Sequence, residues 1–317
     1  MNNIKKSKVS LLLVWLYETV VVLISFFSVR KKITTRHQFK EPFFIIGCGR
    51  SGNTLLRSML VTGKEVVIPP ESYVWPRLIR RFWPMSFLRW EILCSWVIGE
   101  FEAHKFDTWE VNLYKAHEKA RGLPKNRRTL SNILHVIYST YAEEKNQKDI
   151  RWGDKTPINT IYIDKLYKIF PNAQFIHIVR DPRDVVCSYV KAGLYDNIWD
   201  ALDFWIESNK KAVKLETLLG KDQYFQVKYE KLVEFPEDEL KKICTFLNIN
   251  YSTKLLDFWK YSDNLGDVKR RKHHVNIGNP LNTDSIGKWK TVLNQEEKEI
   301  IETKAASEMR LFGYLDK

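Results

Sequence analysis

Residues 47–54, Gly-Cys-Gly-Arg-Ser-Gly-Asn-Thr, fit the phosphate-loop pattern G-x-x-x-x-G-K-[ST] at every position but one. Asn53 stands where that pattern has a lysine for the β/γ-phosphates of a nucleotide. A glycine-rich turn between a strand and a helix still aims backbone N–H groups at an anion, and the helix dipole adds to the attraction. Gly49 and Gly52 permit close backbone approach, while Ser51 and Thr54 offer hydroxyl donors. Arg50 supplies a cation in place of the lysine, as a planar, multidentate clamp for an oxyanion. The segment is either a strand-to-helix turn without a ligand or a cradle shaped for a different anionic donor.

A second set of residues lies far along the chain. Arg180 ends the apolar run 174–179, Asp181 and Pro182 mark a turn, and Ser188 falls on the helix that follows. Open α/β sheets bind ligands at the carboxyl ends of their strands. Arg180 leaves the sheet there, and the helix can carry Ser188 to the same anion. Asp181 and Asp184 read as turn and cap residues.

The elements that must hold these groups alternate. Pro42–Gly49 reads as a buried parallel strand ending in glycine, residues 52–63 as a helix closed by Gly63, and Glu65–Ile68 as a short strand stopped by Pro69 and Pro70. Residues 174–193 repeat strand, turn and helix, and 198–219 form a long amphipathic helix. Residues 224–230 alternate as a strand, residues 235–249 open a helix with Pro236 and three acids, and 294–315 form one closing helix. Strands alternating with helices predict an α/β domain with a mainly parallel sheet and helices on both faces. Residues 72–150 break the pattern. Trp, Phe and Arg interleave over 73–98, as in a helical insertion packed on the core, an amphipathic lid, or a patch touching lipid headgroups. Residues 102–149 read as polar and helical.

The loop Gly49-Arg50-Ser51-Gly52-Asn53-Thr54 resembles the 5′-phosphosulfate loop of sulfotransferases that use 3′-phosphoadenosine 5′-phosphosulfate (PAPS), where the motif usually reads R-S-G-T-T or K-S-G-T-T. Asn53 departs from the commoner threonine. The match extends over residues 42–317 and implies a P-loop-like fold and sulfuryl transfer from PAPS to a hydroxyl, less readily an amine, giving 3′,5′-ADP. It further implies that Arg180 and Ser188 bind the 3′-phosphate, while Arg50 and the loop hold the phosphosulfate. Glu71, in Pro-Glu-Ser-Tyr-Val-Trp-Pro-Arg, matches the catalytic glutamate of the tyrosylprotein and glycan branch. Lys155, in Arg-Trp-Gly-Asp-Lys-Thr-Pro, matches a lysine near the bridging oxygen of the donor. A positioned carboxylate taking the acceptor proton contributes roughly 10²–10⁴-fold. A fixed ammonium favours the transition state as charge builds on the leaving phosphate. Tyr229 and Lys288 are further donor contacts by resemblance, with His273, His274 and Asn282 as candidates beside Lys288. The same residues have blander uses: Glu71 as a helix cap or arginine partner, Lys155 as a solvated surface lysine, Tyr229 as a half-buried strand tyrosine. Asp154 reads as the partner of Lys155 or a helix cap, and His177 as a satisfied interior residue.

The bulk properties bound the partners. The chain has 317 residues and a formal charge of +13, which favours anionic ligands. No zinc-finger spacing or single basic recognition helix points to nucleic acid. Cys48, Cys94, Cys187 and Cys244 form no C-x-x-C pair, and no His/Asp/Glu cluster has metal-ligand spacing; sulfuryl transfer calls for no metal. Residues 11–29 are almost wholly apolar and as a helix would measure about 28 Å, near the thickness of a bilayer core. Residues 1–41 therefore read as a hydrophobic membrane-anchor helix, contacting the membrane through residues 9–29, with a basic linker, and 42–317 as the catalytic domain. A helix docked on the protein's own surface is the alternative. Arg30, Lys31, Lys32, Arg36 and Lys40 outnumber Lys5, Lys6 and Lys8, which favours a cytoplasmic catalytic domain; a lumenal, Golgi-type orientation stays open. The acceptor reads equally as a glycan, a glycolipid or an acidic peptide. The rival classes are a small-molecule kinase on a degenerate phosphate loop and a non-catalytic membrane protein that binds a nucleotide.

Overall fold

A computed structural model of the chain describes residues 31–104, 109–147, 150–265 and 277–316, together with Leu16, Thr19, Val20 and Leu23. The rest of the apolar segment 11–29 lies outside the described residues, as do His273 and His274. Among the described residues no helix is long and apolar enough to cross a membrane.

Five parallel strands form one sheet: β1 (Phe43–Ile46), β2 (Val66–Val67), β3 (Arg151–Asp154), β4 (Gln174–Val179) and β5 (Tyr224–Lys228), in the order β2-β3-β1-β4-β5. Phe43 pairs with Gly153 on one side and Gln174 on the other, and Val179 pairs with Lys228. Parallel sheets are covered on both faces, so their strands read as continuous apolar runs rather than alternating ones. In β1 all four residues are buried. Phe43 and Ile45 face one core with Leu56, Met59, Leu240 and Ile243. Phe44 and Ile46 face another with Trp75, Trp152, Phe170 and Phe175.

The helices that place the site are α1 (Asn53–Thr62) after β1, then α2 (Trp75–Met85), α3 (Trp90–His104), α4 (Tyr114–Arg121) and α5 (Leu130–Glu144) between β2 and β3. Helix α6 (Ile163–Ile169) precedes β4, α7 (Pro182–Lys191) and α8 (Ile198–Glu216) follow it, and α9 (Tyr229–Glu234) and α10 (Pro236–Leu247) follow β5. The aromatics of α2–α5 belong mainly to the core. Trp75, Trp90 and Trp109 are buried, and each indole N–H has an acceptor: the Tyr138 hydroxyl at 3.1 Å, the Ala120 carbonyl at 2.9 Å and the Pro70 carbonyl at 2.7 Å. An indole buried without an acceptor would forfeit its hydration, so these bonds settle the packing role. Trp83 stays exposed.

Two elements differ from the sequence reading. Strand β3 has no counterpart in the sequence pattern, because Arg-Trp-Gly-Asp carries no apolar run. The single closing helix is two, α12 (Gln295–Lys304) and α13 (Ala306–Leu311), after a short α11 (Trp289–Val292). The α12 start is fixed by a capping box between Asn294 and Glu297.

Candidate active site

Each strand delivers a candidate group at its carboxyl end. The loop 47–54 follows β1, Glu71 follows β2, Lys155 follows β3, Arg180 follows β4 and Tyr229 follows β5. All but Lys155 reach a cavity of about 850 Å³, lined by Arg50, Thr54, Glu71, Arg180, Ser188 and Tyr229 among others; Lys155 is buried against Glu71 and Thr54.

The loop is held both from outside the motif and from within it. The Gly47 N–H donates to the Thr160 hydroxyl at 2.9 Å, and Asn53 Nδ2 donates to the Cys48 carbonyl at 2.8 Å. Asn53 thus braces the turn where a phosphate loop has its lysine. Gly52 has φ of 97°, and a Cβ there would come within 2.5 Å of the Tyr229 ring. At Gly49 a Cβ would lie 2.3 Å from the Tyr189 hydroxyl. Both positions need the absence of a side chain, so the cradle's shape is set by close approach as well as by backbone freedom.

At one end of the site Lys155 is fully buried. Its ammonium donates to Glu71 Oε1 at 2.5 Å and to the Thr54 hydroxyl at 3.1 Å. The second carboxylate oxygen of Glu71 accepts from the Tyr73 hydroxyl at 2.5 Å. Lys155 is therefore no solvated surface lysine. Asp154 does not hold it: Asp154 accepts from the Tyr138 hydroxyl at 2.6 Å and from Asn159 Nδ2 at 2.8 Å.

At the other end Arg50 Nε donates to Ser188 Oγ at 3.1 Å. Arg180 donates to the Arg50 carbonyl at 2.9 Å and to the Ser285 carbonyl, with its guanidinium 4.4 Å from the Tyr229 ring centre. The buried Nε of Arg180 meets no protein acceptor. The guanidinium itself lines the cavity, and a planar cation there suits an oxyanion. The Arg50 side chain is bonded to Ser188 and feels the charges of both Arg180 and Glu71. Burial draws the Arg50 pKa below its ordinary value.

The remaining predicted groups fall around these two ends. Ser51 is buried under the loop, and Lys288 and Asn282 line the cavity from the C-terminal segment. Asp181 caps α7 through the Arg183 N–H at 2.9 Å. Asp184 is not a cap: it lies inside the first turn of α7 and is bonded elsewhere. Its carboxylate accepts from the N–H groups of Gly287 at 2.7 Å and Trp289 at 3.0 Å, fastening the Lys288 segment over the site. Trp289 packs with Arg183 at 3.9 Å. His177 is a satisfied interior residue, bonded to Asn209 at 3.0 Å and Tyr224 at 2.8 Å. Burial raises the Cys48 thiol to about 12 and Cys187 to about 11, so neither supplies a thiolate nucleophile near neutral pH. Tyr73, Thr160 and the clamp by Asp184 were not anticipated from sequence.

Residues 42–253 match the model of the Sulfotransferase family. The chain belongs to that family. The chain is 23% identical over 259 residues to a putative protein-tyrosine sulfotransferase of Caenorhabditis briggsae, covering 79% of this chain and 81% of the relative. It is 26% identical to protein-tyrosine sulfotransferase A of Caenorhabditis elegans over 78% of its own length, but spans only 61% of that protein. In fold it is similar to the sulfotransferase domain of the Synechococcus PCC 7002 olefin synthase, with a TM-score of 0.60, 24% identity, and coverage of 87% of this chain and 98% of that domain.

Proposed function

We propose that this sulfotransferase moves the sulfuryl group of PAPS to a hydroxyl acceptor and releases 3′,5′-ADP. The observation that carries the reading is one cavity whose wall joins the glycine-rich loop and Thr54 to a cluster of Arg50, Arg180 and Ser188. Glu71 lines the same cavity, with the buried Lys155 bonded to it and to Thr54. A donor with a 3′-phosphate and a 5′-phosphosulfate presents two anions to such a site.

PAPS, when bound, supplies an activated sulfuryl group and a phosphate leaving group. The protein's part is binding and proton handling. Arg180 and Ser188 hold the 3′-phosphate, and the position of Arg50 favours adding it to that set. The loop N–H groups and Thr54 hold the phosphosulfate. Tyr229 and Lys288 border the donor. Lys155 answers the charge that builds on the leaving oxygen, and Glu71 takes the acceptor proton. Both are buried, which strengthens their electrostatic effect.

The acceptor is a hydroxyl of a polypeptide tyrosine, a glycan or a glycolipid. The nematode relatives are named for protein tyrosine, so that class is tested first. We further propose one catalytic domain over 42–317, with the helical insertion at about 72–150, preceded by a membrane anchor in residues 1–41. The basic linker favours a cytoplasmic catalytic domain, and a lumenal anchor is the alternative. Radiolabelled PAPS incubated with the enzyme and an extract of the native organism, then separated into lipid, glycan and protein fractions, tests the reading. Label in one fraction identifies the acceptor class, and label in none contradicts transfer.

A further inference from the structure

Tyr73 has no part in the reaction outlined above, yet its hydroxyl lies on the proposed base. It donates to Glu71 Oε2 at 2.5 Å, while Lys155 occupies Oε1. An acceptor hydroxyl must make the same kind of bond to Glu71 before it reacts. We propose that the Tyr73 phenol holds the acceptor's place on Glu71, shielding the base from water until an acceptor displaces it. The proposal rests on Glu71 being the base.

Three observations support it. Tyr73 lines the cavity and is 40% exposed, so its ring has room to leave. Its neighbours Ser72 and Val74 are both fully buried, and the Trp109 indole grips the Pro70 carbonyl. The backbone is thus fixed on each side, and release requires only a side-chain rotation. Finally, Tyr73 has φ of 54°, a conformation that bulky L-residues avoid. Such backbone persists where the surroundings over-determine it, and here it turns the ring back onto Glu71.

The consequence concerns wasted donor. Without an acceptor, a water reaching Glu71 would lose a proton to it as its oxygen attacks sulfur. The bond from sulfur to the bridging oxygen would break, leaving sulfate and 3′,5′-ADP. Tyr73 acts through Glu71 and is a positioning residue. The test is sulfate release from radiolabelled PAPS in the absence of any acceptor, using the full chain. Tyr73→Phe keeps the ring and removes the hydroxyl, and a thermal melt confirms that it folds. Sulfate release should rise roughly tenfold, the factor expected for one such hydrogen bond. The rise should vanish in the Tyr73→Phe/Glu71→Gln double variant. No rise, or a rise that persists without the carboxylate, overturns the proposal. Titration of the same samples with 3′,5′-ADP separates the two readings. Intact binding without a rise removes Tyr73 alone, whereas absent binding removes the donor assignment as well.

Discussion

Lys155 Nζ lies 2.5 Å from Glu71 Oε1, with the lysine side chain fully buried and the carboxylate 5% exposed. The pair joins the end of β3 to the segment after β2, and both members are proposed to act in transfer. Removing one partner strands the other's charge in the interior, which typically costs about 3–5 kcal/mol. Lys155→Met should therefore lose stability on that scale in urea unfolding, and Lys155→Met/Glu71→Gln should recover part of it. A single variant as stable as the wild type contradicts the pairing.

Glu71→Gln keeps the shape and removes the base. Transfer should fall roughly 10²–10⁴-fold, with 3′,5′-ADP affinity nearly unchanged. Retained transfer would free Glu71 of the assigned role. A wild type that binds donor but transfers to nothing would favour a nucleotide-binding protein without catalysis.

Arg180 lines the cavity beside Arg50 and Ser188. Arg180→Ala should weaken 3′,5′-ADP binding by about 2–3 kcal/mol, the scale of a charge-assisted contact. Arg50→Ala and Ser188→Ala share one hydrogen bond, so their effects on binding should be non-additive in a double-mutant cycle. Additive losses would mean that the two groups serve separate anions.

His177 sets a pH dependence of stability. Burial lowers its pKa from 6.5 to about 4, and the neutral ring is held by Asn209 and Tyr224. Between those values the unfolded chain binds a proton that the folded chain does not. Its contribution is present above pH 6.5 and is lost as pH falls towards 4, up to about 3 kcal/mol. The wild-type urea midpoint should drop over that window, and His177→Gln should flatten the drop. An equal slope in the variant contradicts this source; burial lowers His135 in the same direction, so some slope remains.

Much of the positioning frame was readable because it is local. The β1 run with its glycine turn, and β4 with Arg180, Pro182 and Ser188, are each written within about fifteen consecutive residues. Strand β3 was not, because its strand character comes from neighbours. Arg151 is tied to the carbonyls of Glu41 and Leu247, and Gly153 leaves space for the Phe43 ring, which a Cβ would meet at 2.5 Å. The Asp184 clamp spans over a hundred residues to Gly287, and Tyr73 owes its role to a backbone angle that no local pattern announces. The direction of Arg50 likewise depends on where α7 places Ser188.

The loop with Thr54 and the cluster of Arg50, Arg180 and Ser188 are proposed to grip one adenine nucleotide carrying a 3′-phosphate. Calorimetric titration of the purified chain with 3′,5′-ADP, without metal, and in parallel with magnesium ATP, tests it most directly. Tight binding of 3′,5′-ADP and little or none of ATP is the expected result. Preference for ATP, with 3′,5′-ADP ignored, would contradict it and favour a kinase.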